Sequence, residues 1–173
     1  MLTRCLGFGV LLLAATSSAF AQTDPAMTAI KGQFGMISGV VSKTAEKVPE
    51  NLYSFKATPE VRSIGQLLAH IADAQFSMCA AAAGEKPPQM GIEKGKTSKA
   101  DISKAVNDSI AYCNGVIAGM NDQKGMEVVK FFTGPSPRLM VLSFTISHSY
   151  EHYGNLVTYM RLNKMVPPSS EGQ

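Results

Sequence analysis

The chain has 173 residues, of which 45% are hydrophobic and 17% charged, and its formal net charge is +3 at pH 7. This length allows one domain with a hydrophobic core of its own. The Lys and Arg residues are scattered along the sequence and tryptophan is absent, so the composition gives no support for binding to nucleic acid.

Residues 1–21 have the features of a cleavable signal peptide. Arg4 provides a positive start, an apolar run follows at residues 6–15, and Ala19-Phe20-Ala21 matches the small-x-small pattern of a cleavage site. The apolar run is too short to span a bilayer as a mature helix, although an uncleaved anchor is the alternative. We therefore expect a periplasmic or secreted protein that starts near Gln22 and is not stably inserted in a membrane.

Four segments have helical periodicity, and the first two are separated by the connector PENLYSFKATPEVR. The first helix is predicted from Pro25 to Lys47, with Asp24 as its N-cap. The second is predicted from near Ser63 to about Ala83, because Ser63 and the glutamine three residues later resemble a capping box. A loop rich in Gly, Pro and Lys, GEKPPQMGIEKGKTS, follows it.

The third helix is predicted from about Lys99 to Met120, and a long connector follows at residues 121–136. Within this connector MEVVKFF could form a short extended segment, but no partner strand is visible in the sequence. The fourth helix is predicted to begin with Ser136 as cap and Pro137 at its first position, and to continue to about residue 164. Four amphipathic helices without a strong strand pattern predict an all-α four-helix bundle. The long second and third connectors mean that a plain up-down-up-down order is not required.

Cys79 and Cys113 remain once Cys5 is lost with the signal peptide. An oxidising compartment permits a disulfide between them, and the alternative is two small buried hydrophobic side chains. At ~1.5 Å per residue, Cys79 is about 6 Å from the end of its helix and Cys113 about 18 Å past the start of the next. Antiparallel neighbours would therefore bring them level only with an offset, and the sequence leaves the pairing open.

All three histidines of the chain fall on predicted helices. His148 and His152 are one turn apart on the fourth helix, so both imidazoles point to the same side. His70 lies on the second helix among mostly small residues, which would leave space for water or substrate. Two imidazoles one turn apart can bind one ion at ~2.0–2.1 Å, and a third from a facing helix leaves coordination positions open.

Zinc, nickel or ferrous iron would accept such ligands, and the sequence does not select among these divalent ions. Packed or surface histidines are the alternative. The metalloprotease pattern H-E-x-x-H is absent, because Ser149 follows His148.

Several polar side chains near the histidines are candidates for supporting roles. Asp73 could hydrogen-bond a ligand or act as a fourth ligand, with simple exposure to solvent as the alternative. Ser77, Asn155 and Tyr159 could line a substrate pocket. Glu151 is about 100° from His152 around the helix, so it is poorly placed as a general base.

The stretches RSIGQLLAHIADAQ and HSYEHYGNLVTYMRLNKMVPPSS, with the linker PENLYSFKATPEVRS, resemble the DinB/YfiT-like family of metalloenzymes. The similarity covers nearly the whole mature chain and indicates a DinB-like domain over residues 22–173. It implies a four-helix bundle, often homodimeric, with a divalent metal at His70, His148 and His152. It also implies activities that range from thiol-dependent S-transfer to metal-dependent hydrolysis and isomerisation. The export signal departs from the family and argues against thiol transfer, because low-molecular-weight thiols are scarce outside the cytoplasm.

The sequence thus predicts an exported metal-dependent hydrolase or group-transfer enzyme that acts on a small molecule. A non-catalytic metal- or ligand-binding helical bundle is the alternative.

Overall fold

The structure, a computed structural model, describes residues 23–132 and 134–172, so the predicted signal peptide lies outside the described residues. Within that part of the chain, no helix combines the length and the hydropathy needed to cross a bilayer. Two single turns of 3-10 helix, Glu50–Leu52 and Pro168–Ser170, accompany the main elements. In chain order these are α1 (Pro25–Lys47), α2 (Ile64–Ala83), α3 (Ile92–Gly95), α4 (Lys99–Ala118), α5 (Asp122–Gly125), β1 (Val128–Phe131), β2 (Gly134–Pro137) and α6 (Arg138–Leu162).

The four long helices form a bundle in which α1 and α2 lie at opposite corners. Each of these two helices packs against both α4 and α6. The bundle is closed by a core of fully buried side chains from all four helices, and this core positions the helix faces that carry the histidines. Its largest members include Phe34, Ile37, Leu68, Ile71, Ile102, Leu142, Leu156 and Met160.

Helices α2 and α4 run parallel. Gln75 of α2 accepts a hydrogen bond from Ser109 of α4, and one turn further along both helices Cys79 meets Cys113. By contrast, α2 and α6 run antiparallel, because the end of α2 contacts the start of α6 through Ala82 and Arg138, whereas the middle of α2 contacts the middle of α6.

The cysteines are joined by a disulfide, with their Cα atoms 5.4 Å apart. The assumption that the two helices are antiparallel neighbours is wrong. Since α2 and α4 are parallel and each cysteine lies near the C-terminal end of its helix, the two sulfurs are level without any offset. Both side chains are fully buried.

A parallel pair of helices needs a connection that returns along the bundle. Helix α2 has 20 residues and is therefore about 30 Å long. It ends at Gly84, whose φ of 80° places it in the left-handed region that favours glycine. Residues 84–98 then run back along α2, and α3, inside this crossover, packs against α2. Because α2 and α4 are parallel, the segment that connects them passes over the face of α2 that carries His70.

The predicted N-cap is confirmed at α2 but not at α1. The capping box of Ser63 and Gln66 is formed. At α1, however, Asp24 makes no capping bond. The carboxylate of Asp122 accepts the N–H groups of residues 26 and 27, while Asp24 accepts the N–H of Asp122. This reciprocal arrangement joins residues almost a hundred positions apart, so local sequence could not predict it.

A two-stranded antiparallel hairpin precedes α6. Strand β1 pairs with β2 in a register that sets Val128 opposite Pro137 and Phe131 opposite Gly134. The prediction that Ser136 caps the last helix and Pro137 opens it is therefore wrong, because both residues belong to β2 and the helix begins at Arg138. Proline is tolerated here because both strands of a two-stranded sheet are edge strands.

Loss of the disulfide should destabilise the bundle. A cross-link across a sequence separation of 34 residues is expected to contribute about 2–4 kcal/mol to the free energy of unfolding. Urea denaturation of the double variant Cys79→Ala/Cys113→Ala measures this loss. The wild type should lose a similar amount in dithiothreitol, whereas the double variant should not respond to the reductant. An oxidised wild type no more stable than the double variant would contradict the expectation.

Candidate metal centre

The three histidines meet between α2 and α6. The Nε2 atom of His148 lies 3.3 Å from Nε2 of His70 and 3.1 Å from Nε2 of His152. One ring nitrogen of each histidine lies within 4.8 Å of the others. Antiparallel packing of α2 on α6 brings His70 level with the middle of α6, and the one-turn spacing on α6 supplies the other two rings.

These separations suit one bound cation. Two nitrogens bound to a tetrahedral zinc at ~2.0–2.1 Å are about 3.4 Å apart. Hydrogen bonds among the three rings satisfy their nitrogens less well than a bound cation does, because a neutral imidazole carries a single N–H. If His148 Nε2–H points at His70, it cannot also point at His152. A cation placed among three lone pairs satisfies all three nitrogens, so the donor set fits a divalent metal.

The electrostatics keep two of the rings neutral. Burial lowers the pKa of His148 to about 4, helped by repulsion from His152 and His70. Burial also lowers the pKa of His152, again with repulsion from His70. Neutral imidazole is the form that binds metal, so both rings are in the binding state at pH 7.

An aromatic cluster borders the site on the side of His148. It consists of Phe131 and Phe132 at the end of β1 and Phe144 on α6, with ring centroids 4.1–5.6 Å apart. The Phe144 ring lies 6.3 Å from that of His148. Phe131 is buried, whereas Phe132 and Phe144 are exposed, so the cluster forms an apolar surface beside His148.

An open cleft of about 480 Å³ borders the site on the side of His152. Asn155 and Tyr159, two of the residues predicted to line a pocket, lie in this cleft. Ser77 does not, because it is exposed and lines a different cleft at the end of α2. The residues around the cleft are Glu60, Val61, Arg62, Leu67, Glu93, Glu151, His152, Asn155 and Tyr159.

Asp73 holds the crossover and is not placed as a fourth ligand. Its two carboxylate oxygens accept the backbone N–H groups of Ile92 and Glu93, each at 3.0 Å. Both oxygens are therefore directed at the start of α3, and the carboxylate acts on the site only through the segment it holds.

Glu93 and Arg62 are site residues that the sequence analysis missed. Glu93 Oε2 lies 3.1 Å from His70 Nδ1, and Arg62 Nε donates to Glu93 Oε1 at 2.9 Å. Burial alone would raise the pKa of Glu93, but its bonds with Arg62 and His70 outweigh this and lower it. The sequence predicts a loop rich in Gly, Pro and Lys around Glu93, whereas the structure places this residue in α3. The one indication in the sequence was the isolated apolar Ile92, whose side chain is buried.

The metal-free protein should lose stability as the pH falls from 6.5 to 4. In this range an unfolded chain with an ordinary histidine pKa of 6.5 binds a proton that folded His148, with a pKa of about 4, does not. The free energy of unfolding should fall by at most about 1.4 kcal/mol per pH unit for this proton, and by less where water screens the half-buried ring. Urea denaturation in chelator at several pH values measures the slope. His148→Gln should be flatter, and equal slopes would contradict the expectation.

Comparison with solved structures places the fold among known ones. A DinB-like protein from Bacillus cereus is 16% identical with a TM-score of 0.73, and the match covers 82% of this chain and 95% of that chain. A DinB-like protein from Bacillus subtilis is 19% identical with a TM-score of 0.66, covering 80% and 93%. A conserved protein from Enterococcus faecalis is 16% identical with a TM-score of 0.65, covering 79% and 95%. At these identities the similarity shows the fold alone.

No curated protein matches the chain by sequence. The model of the DinB superfamily does match it, over residues 38–156. This segment contains most of the bundle and all three clustered histidines. The chain therefore belongs to the DinB superfamily.

Proposed function

We propose that this protein binds one divalent metal ion through Nε2 of His70, His148 and His152 and acts as a hydrolase or group-transfer enzyme on a small molecule. The observation that carries the proposal is the convergence of three imidazole nitrogens within 4.8 Å beside an open cleft. Zinc, nickel and ferrous iron are the ions that suit these donors.

The surroundings of the histidines support a catalytic use. Three protein ligands leave coordination positions open, and the cleft beside His152 gives a substrate access to them. The aromatic cluster gives the opposite side an apolar surface, and Tyr159 and Asn155 offer a phenol and an amide to orient a bound molecule. When bound, a divalent ion supplies Lewis-acid activation of a water or of a substrate oxygen or sulfur.

We also propose that the protein is exported and processed near Gln22. The signal-like segment at residues 1–21 and the buried disulfide both favour an oxidising compartment. The intact mass of the protein recovered from the periplasm or the culture medium tests this, since it should correspond to a chain that begins near Gln22. Recovery of the full-length chain from the cytoplasm alone would contradict it.

A metal-binding bundle without catalysis is the second candidate. It is favoured by the bonding of Glu93, whose two oxygens are already engaged by His70 and Arg62 and so are not free to act as a general base. Turnover distinguishes the two candidates. Metal-dependent activity on any member of a broad panel of esters, amides and thioethers supports the enzyme, whereas full metal occupancy without turnover supports the binder.

Purified wild-type protein is expected to carry about one transition-metal ion per chain, measured by elemental analysis after purification without chelators. His148→Ala removes the ligand shared by both close nitrogen contacts. It should weaken metal binding by more than about 100-fold, since even the hydrogen-bond partners of ligands are worth 10–100-fold.

Ser147→Ala is the matched control, because Ser147 is exposed on the same helix and its hydroxyl donates to the carbonyl of Ser143. It should keep its metal. The proposal would be contradicted if the wild-type protein took up no zinc, nickel or iron when each is offered. Unchanged metal occupancy in His148→Ala would also contradict it.

A further inference from the structure

We propose that Glu93 is a positioning residue that orients the His70 ring and keeps its single proton on Nδ1, so that the Nε2 lone pair faces the other two histidines. The inference deepens the proposed function, because this is the tautomer that a metal at the site requires. The part that concerns the ring itself holds whether or not a metal is bound.

The contact between Glu93 and His70 determines where the proton lies. Glu93 Oε2 is 3.1 Å from His70 Nδ1, and a carboxylate can only accept a hydrogen bond. Nδ1 must therefore carry the hydrogen. A neutral imidazole has one N–H, so Nε2 of His70 is left with its lone pair, and Nε2 is the atom directed at His148.

Glu93 is held at this position by the helix that carries the ligand. Asp73 follows His70 by three residues and so lies on the same side of α2. It fixes the start of α3 by accepting the N–H groups of Ile92 and Glu93 at 3.0 Å each. The fully buried Ile92 side chain anchors the same turn. The contacts of α3 with α2 therefore fix the position of Glu93 relative to His70.

Arg62 restricts rotation of the Glu93 carboxylate. Its Nε donates to Oε1 at 2.9 Å, while Oε2 faces the histidine. Each oxygen therefore has one partner, and rotation of the carboxylate would break both contacts. Residues from the α1–α2 linker, the crossover and α2 together determine the orientation of one imidazole.

His152 provides an internal contrast. Its Nδ1 is buried and has no hydrogen-bond partner among the described residues. Among the three histidines of the site, His70 has a carboxylate partner and His152 has none among the described residues, so changes at Glu93 should affect His70 most directly. A carboxylate behind a ligating histidine raises its basicity and fixes its ring, and loss of such a partner typically costs 10–100-fold in metal affinity.

Nitrogen-15 NMR of the imidazoles in metal-free protein at neutral pH tests the tautomer directly. In the wild type, His70 is expected as the Nδ1–H form. Glu93→Ala should convert it to a mixture of both forms, whereas the spectra of His148 and His152 change less. Glu93→Gln keeps the shape but has one acceptor oxygen for two donors, Arg62 Nε and His70 Nδ1. With that oxygen on Arg62, the amide N–H group faces Nδ1, so this variant should shift His70 toward the Nε2–H form. A wild-type His70 in the Nε2–H form, or one unchanged in Glu93→Ala, would overturn the inference.

Zinc affinity, measured by competition with a chromophoric chelator, is the second readout. Glu93→Ala should bind zinc 10–100-fold more weakly than wild type, and Glu93→Gln should also lose affinity, because its amide N–H group cannot accept the Nδ1 hydrogen of His70. Asp73→Asn, which can accept only one of the two backbone N–H groups, should lose affinity in the same direction. Glu60→Gln removes the same charge from the same cleft and serves as the matched control, with affinity expected within about two-fold of wild type because the loss is screened by solvent.

The two readouts separate the failure of this inference from the failure of the proposed function. If the wild type binds no metal, the proposed function fails, and the NMR result alone decides the role of Glu93. If the wild type binds zinc and Glu93→Ala changes neither the tautomer nor the affinity, the metal site stands and the positioning role is refuted. Circular dichroism of each variant verifies that the bundle is folded.

Discussion

The parallel packing of α2 on α4 is the constraint from which the rest of the site follows. Two parallel helices cannot be joined by a short turn, so residues 84–98 must return along the bundle. Their route crosses the face of α2 that holds His70, and α3 docks there through Ile92 and Asp73. The connection is therefore both a topological necessity and the source of the carboxylate that contacts the site.

The chemistry of the site depends on neutral nitrogen atoms in a half-buried setting. Burial and mutual repulsion lower the pKa of His148 and of His152, so these two rings disfavour protons and retain their lone pairs. Among the described residues, Glu93 is the carboxylate that contacts a histidine of the site, and its charge is balanced by Arg62. Three neutral donors with an outer carboxylate leave most of the charge of a bound divalent ion uncompensated, which is the condition under which the ion polarises a further ligand strongly.

Much of the bundle could be predicted from local patterns. The bounds of α2 follow from its apolar stripe and its capping box, and the histidine pair follows from a spacing of one turn. The features that sequence reasoning missed depend on contacts between distant segments. Asp122 caps α1 across the fold, β2 is recognisable only through its pairing with β1, and Glu93 reaches His70 only because α2 and α4 are parallel. Helical periodicity contains no information on helix direction, so that residue could not be placed beforehand.

The disulfide has a consequence for the crossover that goes beyond global stability. The covalent ring it closes extends from Cys79 to Cys113 and encloses the whole crossover, α3 included. Cross-linking a segment at both ends reduces the number of conformations open to it when its own contacts are broken. Glu93 therefore lies within a covalently closed loop. When the disulfide is formed, Glu93 stays closer to His70 even while the short helix that carries it opens transiently.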